Sequence, residues 1–453
     1  MTMTAEYRDY LYLSVPDSWR DYLLSLGRFR VKGRLRRGQT RILNVARWDA
    51  QGRLCLPRAV VGGIRRRIPE LRIRDRRLYF HPIDFRWRGD LRPEQYALVQ
   101  TVIQRGGNGT VVSVTGSGKT VMGLAMVAGL QQPALWITHR KDLAVAVQRA
   151  SRDVWDLPPA AIGYVGDGQH RIGTHLTIAM IQTLTHRDNH DLYDRIGTLL
   201  VDESHHIAAQ SYHAVLSPFP GRYRIGLTGT YEREDGLHPL IGALFGAPIV
   251  LPDRVLIAAQ RILVPTVIPV YTALRTPEGL AWAHLQQARA ADRDRNRQLL
   301  GLIRAAVQHR RHVLVLVSRV DHAVWLAYQL GANHVAAVAI TGAMPVPDRQ
   351  RWYQEFRQGR CVLVATSLAD EGLDLPECDT VVFATPGRSA TSIRQRGGRV
   401  MRTAVGKGTA IIYDVVDDHV PALAKQWQAR QTVYETAGWP IQEGVVTRGV
   451  ASS

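Results

Sequence analysis

Residues 111–120 read Val-Val-Ser-Val-Thr-Gly-Ser-Gly-Lys-Thr, a β-branched run that breaks into glycine and passes at once into a helical stretch. Few folds accept this order. A strand that leaves through a glycine-rich loop into a helix needs a crossover connection, and crossover connections build parallel sheets with helices on their faces. The loop also carries chemistry. Glycines let successive backbone N–H groups turn toward one point, and the N-terminus of the following helix adds a favourable dipole, so such a loop cradles phosphate. The spacing places Thr115, Gly116, Ser117 and Gly118 in the cradle, Lys119 at the β- and γ-phosphates, and the Thr120 hydroxyl on Mg²⁺. The full pattern has glycine at position 113, where this chain has Ser113; the stretch from Thr115 to Thr120 is intact.

A second segment completes the arrangement. In Leu199-Leu-Val-Asp202-Glu203 an apolar strand ends in two acids. The carboxyl edge of a parallel sheet is where ligands bind, and these acids fall on it. Asp202 is placed to hold magnesium and Glu203 to orient and deprotonate an attacking water. Cradle, cation ligand and base in one chain predict hydrolysis of a nucleoside triphosphate.

The 453 residues extend this pattern twice. From about residue 91, short apolar runs alternate with longer helical stretches: Thr110-Val-Val-Ser-Val, Ala134-Leu-Trp-Ile-Thr, Leu176-Thr-Ile-Ala and Leu199-Leu-Val. After a proline-containing stretch from Pro248 to Pro277, a second set follows: Val313-Leu-Val-Leu-Val, Val335-Ala-Ala-Val-Ala-Ile, Val362-Leu-Val-Ala and Val381-Val-Phe-Ala. The fold class expected is α/β, with two tandem parallel-sheet domains over 91–255 and 256–453, the latter ending in a helical tail. Residues 1–90 differ. Arginines alternate with apolar residues in Arg28-Phe-Arg-Val-Lys and Leu71-Arg-Ile-Arg, and Arg65-Arg-Arg67 adds a cluster. Period-two alternation predicts strands with one basic face, hence a small basic α+β domain, and Trp19, Trp48 and Trp87 give it apolar mass. The formal net charge of +19 favours a polyanionic partner.

Other classes are excluded by what is missing. No apolar run approaches the roughly 20 residues of a membrane span, and Met1-Thr-Met-Thr-Ala-Glu-Tyr-Arg8 lacks the apolar core of a secretory signal. A cytoplasmic protein of a bacterial or phage-infected cell is expected. Cys55, Cys361 and Cys378 are scattered and form no metal-binding spacing, so buried free thiols are expected.

Asp202-Glu-Ser-His205 resembles the DExH box of superfamily 2 helicases, and further segments resemble motifs of that family in its order. Leu91-Arg-Pro-Glu-Gln95 is similar to the upstream adenine-contacting segment, which implies that Arg92 and Gln95 face the nucleotide. Ile137-Thr-His-Arg-Lys-Asp-Leu143 resembles motif Ia, and Thr177-Ile-Ala-Met-Ile-Gln-Thr183 the strand-touching segment before the DExH box. Gly226-Leu-Thr-Gly-Thr230 resembles the coupling motif III, with Gly229 where alanine is usual and Tyr231 where proline often stands. Leu314–His322 looks like motif IV, Val364–Asp374 like motif V, and Gln395-Arg-Gly-Gly-Arg-Val-Met-Arg402 like motif VI. The resemblance implies two RecA-like domains with ATP and Mg²⁺ as cofactors. Gly372 and Asp374 would face the nucleotide, and Arg399 and Arg402 would stabilise charge on the transferring phosphoryl group. Arg140, Gln182, Thr183, Arg319 and Thr366 would hold the DNA backbone.

Gly226–Gly236, which contains Arg233-Glu-Asp235, is similar to the stretch after motif III in XPB-like helicases, and Leu54-Cys-Leu-Pro-Arg58 to a segment of the leading domain of those and related phage helicases. The subgroup implies a 3′-to-5′ DNA helicase or translocase acting on forked, branched or single-stranded DNA in replication, recombination or repair. A duplex translocase or clamp without strand separation, and an RNA helicase, use the same motor and remain alternatives.

Overall fold

The computed structural model describes residues 3–31, 41–114, 116–186, 188–206, 215–233, 235–366 and 375–443. The chain divides into two compact units, the first of Met1–Val114 and Gly118–Val255 and the second of Thr115–Ser117 and Leu256–Ser453.

The first unit begins with seven short strands. β1 (Thr4–Tyr7), β2 (Leu11–Leu13), β5 (Arg47–Trp48), β6 (Leu54–Leu56) and β7 (Arg72–Asp75) form a sheet in the order β5-β6-β2-β1-β7. Only the β1–β7 pair is parallel. β3 (Arg28–Val31) pairs antiparallel with β4 (Arg41–Asn44). The arginine alternation is realised as expected. Arg28 and Arg30 are exposed around buried Phe29, and Arg72 and Arg74 are exposed around Ile73, which packs on the core. That core is Leu11, Leu13, Leu23, Leu54, Leu56 and Ile64. A tight turn joins β5 to β6: the Asp49 carboxylate accepts from the backbone N–H groups of Gln51 and Arg53, and Gly52 takes φ +71°.

This leading sheet is not tethered loosely. Phe29 and Val45 enter the same apolar cluster as Leu135, Ile137 and Leu244 of the following lobe. Arg58 is fully buried, and its guanidinium donates to the carbonyls of Gly221 at 2.6 Å and Arg222 at 2.7 Å. Arg224 answers from the other side, donating to the Asp9 carbonyl at 3.0 Å and the Phe219 carbonyl at 2.6 Å. Residues 76–92 then cross the lobe, with Leu78 bridging Gly221 and Trp87 bridging Trp155.

The lobe itself is an eight-stranded sheet: β8 (Asn108–Val112), β9 (Ala134–Thr138), β10 (Ile162–Gly166), β11 (Gln169–Arg171), β12 (Leu176–Met180), β13 (Thr198–Val201), β14 (Tyr223–Thr228) and β15 (Pro248–Val250). Their order is β11-β10-β12-β9-β13-β14-β8-β15, and every pair but β10–β11 is parallel. β9 and β13 are buried throughout, as strands covered on both faces must be. The helix Lys119–Leu130 is apolar nearly all round and lies so close to the sheet that a Cβ on Gly123 would come within 2.7 Å of Trp136.

The second unit repeats the plan. β16 (Thr266–Tyr271), β17 (Val313–Val317), β18 (Ala337–Ile340), β19 (Val362–Thr366), β20 (Thr380–Phe383) and β21 (Ile411–Val416) form an all-parallel sheet in the order β16-β21-β20-β17-β19-β18. The terminal helix Pro421–Ala437 packs on this unit through Leu423, Trp427 and Tyr434. All three cysteines are buried and free.

An ionic cluster lies where β21 ends. The Asp417 carboxylate accepts from Arg289 Nε and Arg295 Nε, both at 2.8 Å, and from the Thr272 hydroxyl at 2.7 Å. Arg295 also donates to the Ala384 carbonyl. Burial opposes ionisation of Asp417, but Arg295 and Arg289 overcome it and hold the carboxyl at about 2. Asp417→Asn leaves two guanidinium groups buried without their counter-ion. It is expected to cost about 3–5 kcal/mol in denaturant titrations of the full chain. Because the folded pKa lies below the unfolded value of about 3.9, this contribution is complete above that pH and fades as pH falls toward about 2.

Candidate nucleotide site and nucleic-acid interface

The phosphate loop leaves β8 and turns into the helix Lys119–Leu130. Gly116 and Gly118 take φ +91° and +87°, a region side chains disfavour, and Gly118 is the left-handed residue from which the helix starts. A Cβ on Gly118 would also run into the Gln95 amide. That contact sets the buried Gln95 against the loop, and its Oε1 accepts from the Arg92 backbone N–H at 3.0 Å. Lys119 folds back on the loop, its Nζ donating to the Ser113 carbonyl at 3.1 Å. Ser113, standing in place of glycine, is buried, and its N–H donates to the Thr228 carbonyl at 3.0 Å. Thr120 follows at the first turn of the helix; Thr115 lies outside the described residues.

β13 delivers the acids. The Asp202 N–H donates to the Ile137 carbonyl at 2.9 Å, and the Asp202 carboxylate accepts from the Glu203 N–H at 2.9 Å. Glu203 takes φ +45°, a left-handed conformation that tends to occur at functional positions. Burial pushes the Asp202 carboxyl above the ordinary range, and the neighbouring Glu203 charge adds to this while Lys119 opposes it. Removed from water and facing a like charge, Asp202 gains from a divalent cation, and the oxygen donors Asp202 and Thr120 suit magnesium. Among the described residues no cluster of three His, Cys, Asp or Glu could hold a metal alone. Phosphate oxygens of a bound nucleotide would complete the coordination.

His205 links the acids to β14. Its Nδ1 lies 3.3 Å from Glu203 Oε2 and 2.8 Å from the Thr228 hydroxyl, which in turn donates to the Thr230 carbonyl at 2.6 Å. Ser204 packs directly on Gly226, where a Cβ would come within 2.9 Å of the serine hydroxyl. Gly229 is a benign departure: a Cβ there would meet Lys119 Nζ at 3.8 Å, an ordinary contact. Arg233 holds the His205 carbonyl while pairing with Asp235 at 2.6 Å. Sequence reading named the DExH and motif III segments but not the His205–Thr228 bond between them. Their 23-residue separation carries no local signal.

Strand-contact candidates also meet at a carboxyl edge. β12 pairs with β9 in a register that sets Met180 opposite Thr138. This brings Gln182 beside Arg140, and Gln182 Nε2 donates to the His139 carbonyl at 2.9 Å. Arg140 precedes the helix Lys141–Val154 and pairs with Asp142 at 3.6 Å; Thr183 is half-buried in the helix Ile181–Thr185. In the second unit Arg319 precedes the helix Val320–Ala332 and bonds Asp321 at 2.9 Å. Thr366 ends β19 opposite Val317 and is buried. Gly372 and Asp374 lie outside the described residues. Arg399 and Arg402 do not sit on the helix Ala390–Gly397: it ends where Gly397 meets Trp439, and both arginines follow it.

Comparison with known proteins agrees with this architecture. The family model for the "Type III restriction enzyme, res subunit" matches residues 88–233, and the "Helicase conserved C-terminal domain" matches 294–404. The chain is 27% identical over 330 residues to the "Probable helicase D10" of Escherichia phage T5, covering 72% of this chain and 71% of that protein. It is 25% identical over 336 residues to the "DNA 3'-5' translocase XPB2" of Sulfurisphaera tokodaii, covering 65% and 74%. The helicase domain of Pyrococcus furiosus Hef shares the fold, with a TM-score of 0.50, 17% identity, and coverage of 75% of this chain and 98% of that one. The chain belongs to the superfamily 2 helicases and is a nucleic-acid-dependent ATPase of that family.

Burial and the Glu203 charge disfavour ionised Asp202 in the nucleotide-free protein. Asp202→Asn is therefore expected to raise its unfolding midpoint at pH 7–8 by roughly 2–4 °C while abolishing ATP hydrolysis. A carboxyl raised above its unfolded value of about 3.9 destabilises the fold only once pH exceeds that value. The gain should therefore disappear near pH 4 in a thermal-shift series, and a gain constant with pH would contradict this cause.

Proposed function

We propose that the chain is a 3′-to-5′ DNA helicase or translocase that works on forked or branched DNA in replication, recombination or repair, including branch migration. The observation that carries the reading is the His205–Thr228 bond. It joins the acids Asp202 and Glu203 to the segment Gly226–Thr230, so a change at the nucleotide has a direct path into the body of the lobe. In this reading Lys119 and the loop from Thr115 to Thr120 bind ATP, Asp202 and Thr120 hold magnesium, and Glu203 activates water. Arg92, Gln95, Gly372 and Asp374 face the nucleotide. Arg399 and Arg402 stabilise charge on the transferring phosphoryl group. Arg140, Gln182, Thr183, Arg319 and Thr366 grip the backbone of the strand, which carries no base sequence.

DNA as the substrate is supported by the name of the Sulfurisphaera tokodaii relative, which also states the 3′-to-5′ direction. The leading part of the first unit supplies further exposed basic residues. They are Arg28 and Arg30 on β3, Arg65 and Arg66 on the helix Val61–Arg67, and Arg72 and Arg74 on β7, whereas Arg58 is turned inward and serves the fold. Among the described residues no helix is long and apolar enough to cross a membrane.

ATP turnover should be stimulated most by forked DNA, less by single-stranded DNA and least by RNA, and Lys119→Ala should lose at least 100-fold of it, on the order of removing one transition-state charge contact. A phosphate-release assay with the five conditions (none, single strand, duplex, fork, RNA) checks this. Equal stimulation by RNA moves the chain to an RNA substrate. Turnover without displacement of an annealed strand makes it a duplex translocase or clamp.

A further inference from the structure

The helix Ala390–Gly397 ends before Arg399 and Arg402; turn bonds carry the chain onward, the Arg399 N–H donating to the Arg396 carbonyl and the Met401 N–H to the Gly398 carbonyl, both at 3.3 Å, and Arg402 lies beyond them. One support for Arg402 comes from residues far upstream. Ile262 forms an antiparallel bridge with Arg402, and the Leu263 N–H donates to the Met401 carbonyl at 2.7 Å. The opposite support is Lys407, a residue that none of the recognised motifs includes. Its Nζ donates to the Arg402 carbonyl at 2.6 Å and to the Pro376 carbonyl at 2.9 Å. A tight turn aims it there: the Lys407 N–H donates to the Ala404 carbonyl at 3.1 Å, and Gly406 takes φ +80°. The ammonium is half-buried and spends both of these bonds on main-chain oxygens, so it acts as a staple between two stretches of backbone. Pro376 is two residues beyond Asp374 in the sequence, so the staple joins the backbone that follows the segment Val364–Asp374 to the end of the segment Gln395–Arg402.

We propose that Lys407 is a positioning residue for ATP hydrolysis, fixing the peptide from which the Arg402 side chain reaches out. The proposal rests on the reading of Arg402 as the residue that stabilises the phosphoryl group. An arginine that acts only in the transition state must be aimed before the reaction begins, and a misplacement of about 1 Å can cost about 100-fold in rate. Loss of the staple therefore acts on turnover and not on ATP affinity. Lysine is suited to this place because a compact ammonium on a flexible stem can satisfy two divergent carbonyls at once.

The test is DNA-stimulated ATP hydrolysis by the full chain carrying Lys407→Met, Lys407→Arg, Arg402→Ala and the Lys407→Met/Arg402→Ala pair. Methionine keeps the apolar stem and removes the donors. The expected result is a fall in kcat of roughly 10- to 100-fold for Lys407→Met with KM for ATP changed less than about threefold, and substantial recovery in Lys407→Arg. In the pair, residual turnover measured with protein in excess should equal that of Arg402→Ala alone, since a staple cannot matter once the side chain it aims is gone. If Arg402→Ala is crippled but Lys407→Met is as fast as the unaltered chain, Lys407 has no such role. A loss that multiplies in the pair also overturns the proposal, because Lys407 then acts elsewhere. Full turnover in Arg402→Ala would remove the underlying reading of Arg402 instead. A misfolded Lys407→Met would show as lost ATP binding, and the comparison of Lys407→Arg with the unaltered chain then decides: retained turnover in the arginine variant supports the staple, and loss of turnover with intact ATP binding contradicts it.

Discussion

A parallel sheet covered on both faces can offer chemistry only where its strands end. That constraint organises both units of this chain. β9 and β17 are buried from first residue to last, so neither presents a side chain to solvent along its length. What remains is the carboxyl edge, and the residues that matter are released there: Lys119 after β8, Arg140 after β9, Gln182 after β12, Asp202 and Glu203 after β13. Because β9 sits between β12 and β13 in register, the strand-contact candidates and the acids share one edge without any long-range device. The Asp202 N–H donating to the Ile137 carbonyl extends the ladder one step past β13 and fixes where the first acid emerges.

Concentrating charge at one edge has a cost that the structure answers differently in its two units. In the first, Asp202 and Glu203 stand side by side with burial against them, and Lys119 is spent on loop carbonyls rather than paired directly with either. Lys119 offsets this only in part, and a bound cation would offset more of it, which is how binding energy would become available for work. In the second unit two buried carboxylates are met by opposite charges. Asp417 meets Arg289 and Arg295, and Asp414 meets Arg430 at 2.8 Å and the Tyr434 hydroxyl at 2.6 Å. These pairs tie the helices Trp282–Ala291, Arg293–Gln308 and Pro421–Ala437 to the end of β21. The first cluster holds like charges side by side and the second sets unlike charges together.

Legibility in the sequence followed the range of the interactions. The phosphate loop and the Asp202-Glu203 pair were readable because their geometry is set within a few residues, and the alternating Arg28–Val31 and Arg72–Asp75 runs because a strand shows its faces at period two. The stretch from Pro248 to Pro277 read only as a proline-containing connection, yet it supplies β15 and β16. Both are edge strands, with Pro248 opening one and Pro269 inside the other, and an edge tolerates the missing N–H. Arg58 reads in the sequence only as the end of the segment Leu54–Arg58; its role as an interior donor carries no local signal, because its partners are carbonyls more than 160 residues away. Lys407 was invisible for the same reason: a lysine that serves backbone oxygens carries no motif.

The two units also repeat one device that was legible only in halves. Arg140 follows β9 and Arg319 follows β17, and each is the last extended residue before a helix, at φ −137° and −122°. Each leans on the aspartate two residues on, Asp142 and Asp321, and five residues beyond each an exposed valine, Val145 and Val324, marks the same turn of the following helix. The Arg319–Asp321 pair is open to solvent, which screens it, and the Arg140–Asp142 pair is long, at 3.6 Å, so neither is a strong tie. The arginine is therefore oriented by its aspartate without being locked to it, and the pair's net charge is near zero. In the proposed reading of both arginines as strand contacts, a backbone phosphate would recruit each by displacing a weak partner and would lose it again at small cost. A grip of that kind would suit a motor that releases its strand in every cycle better than a rigidly held arginine would.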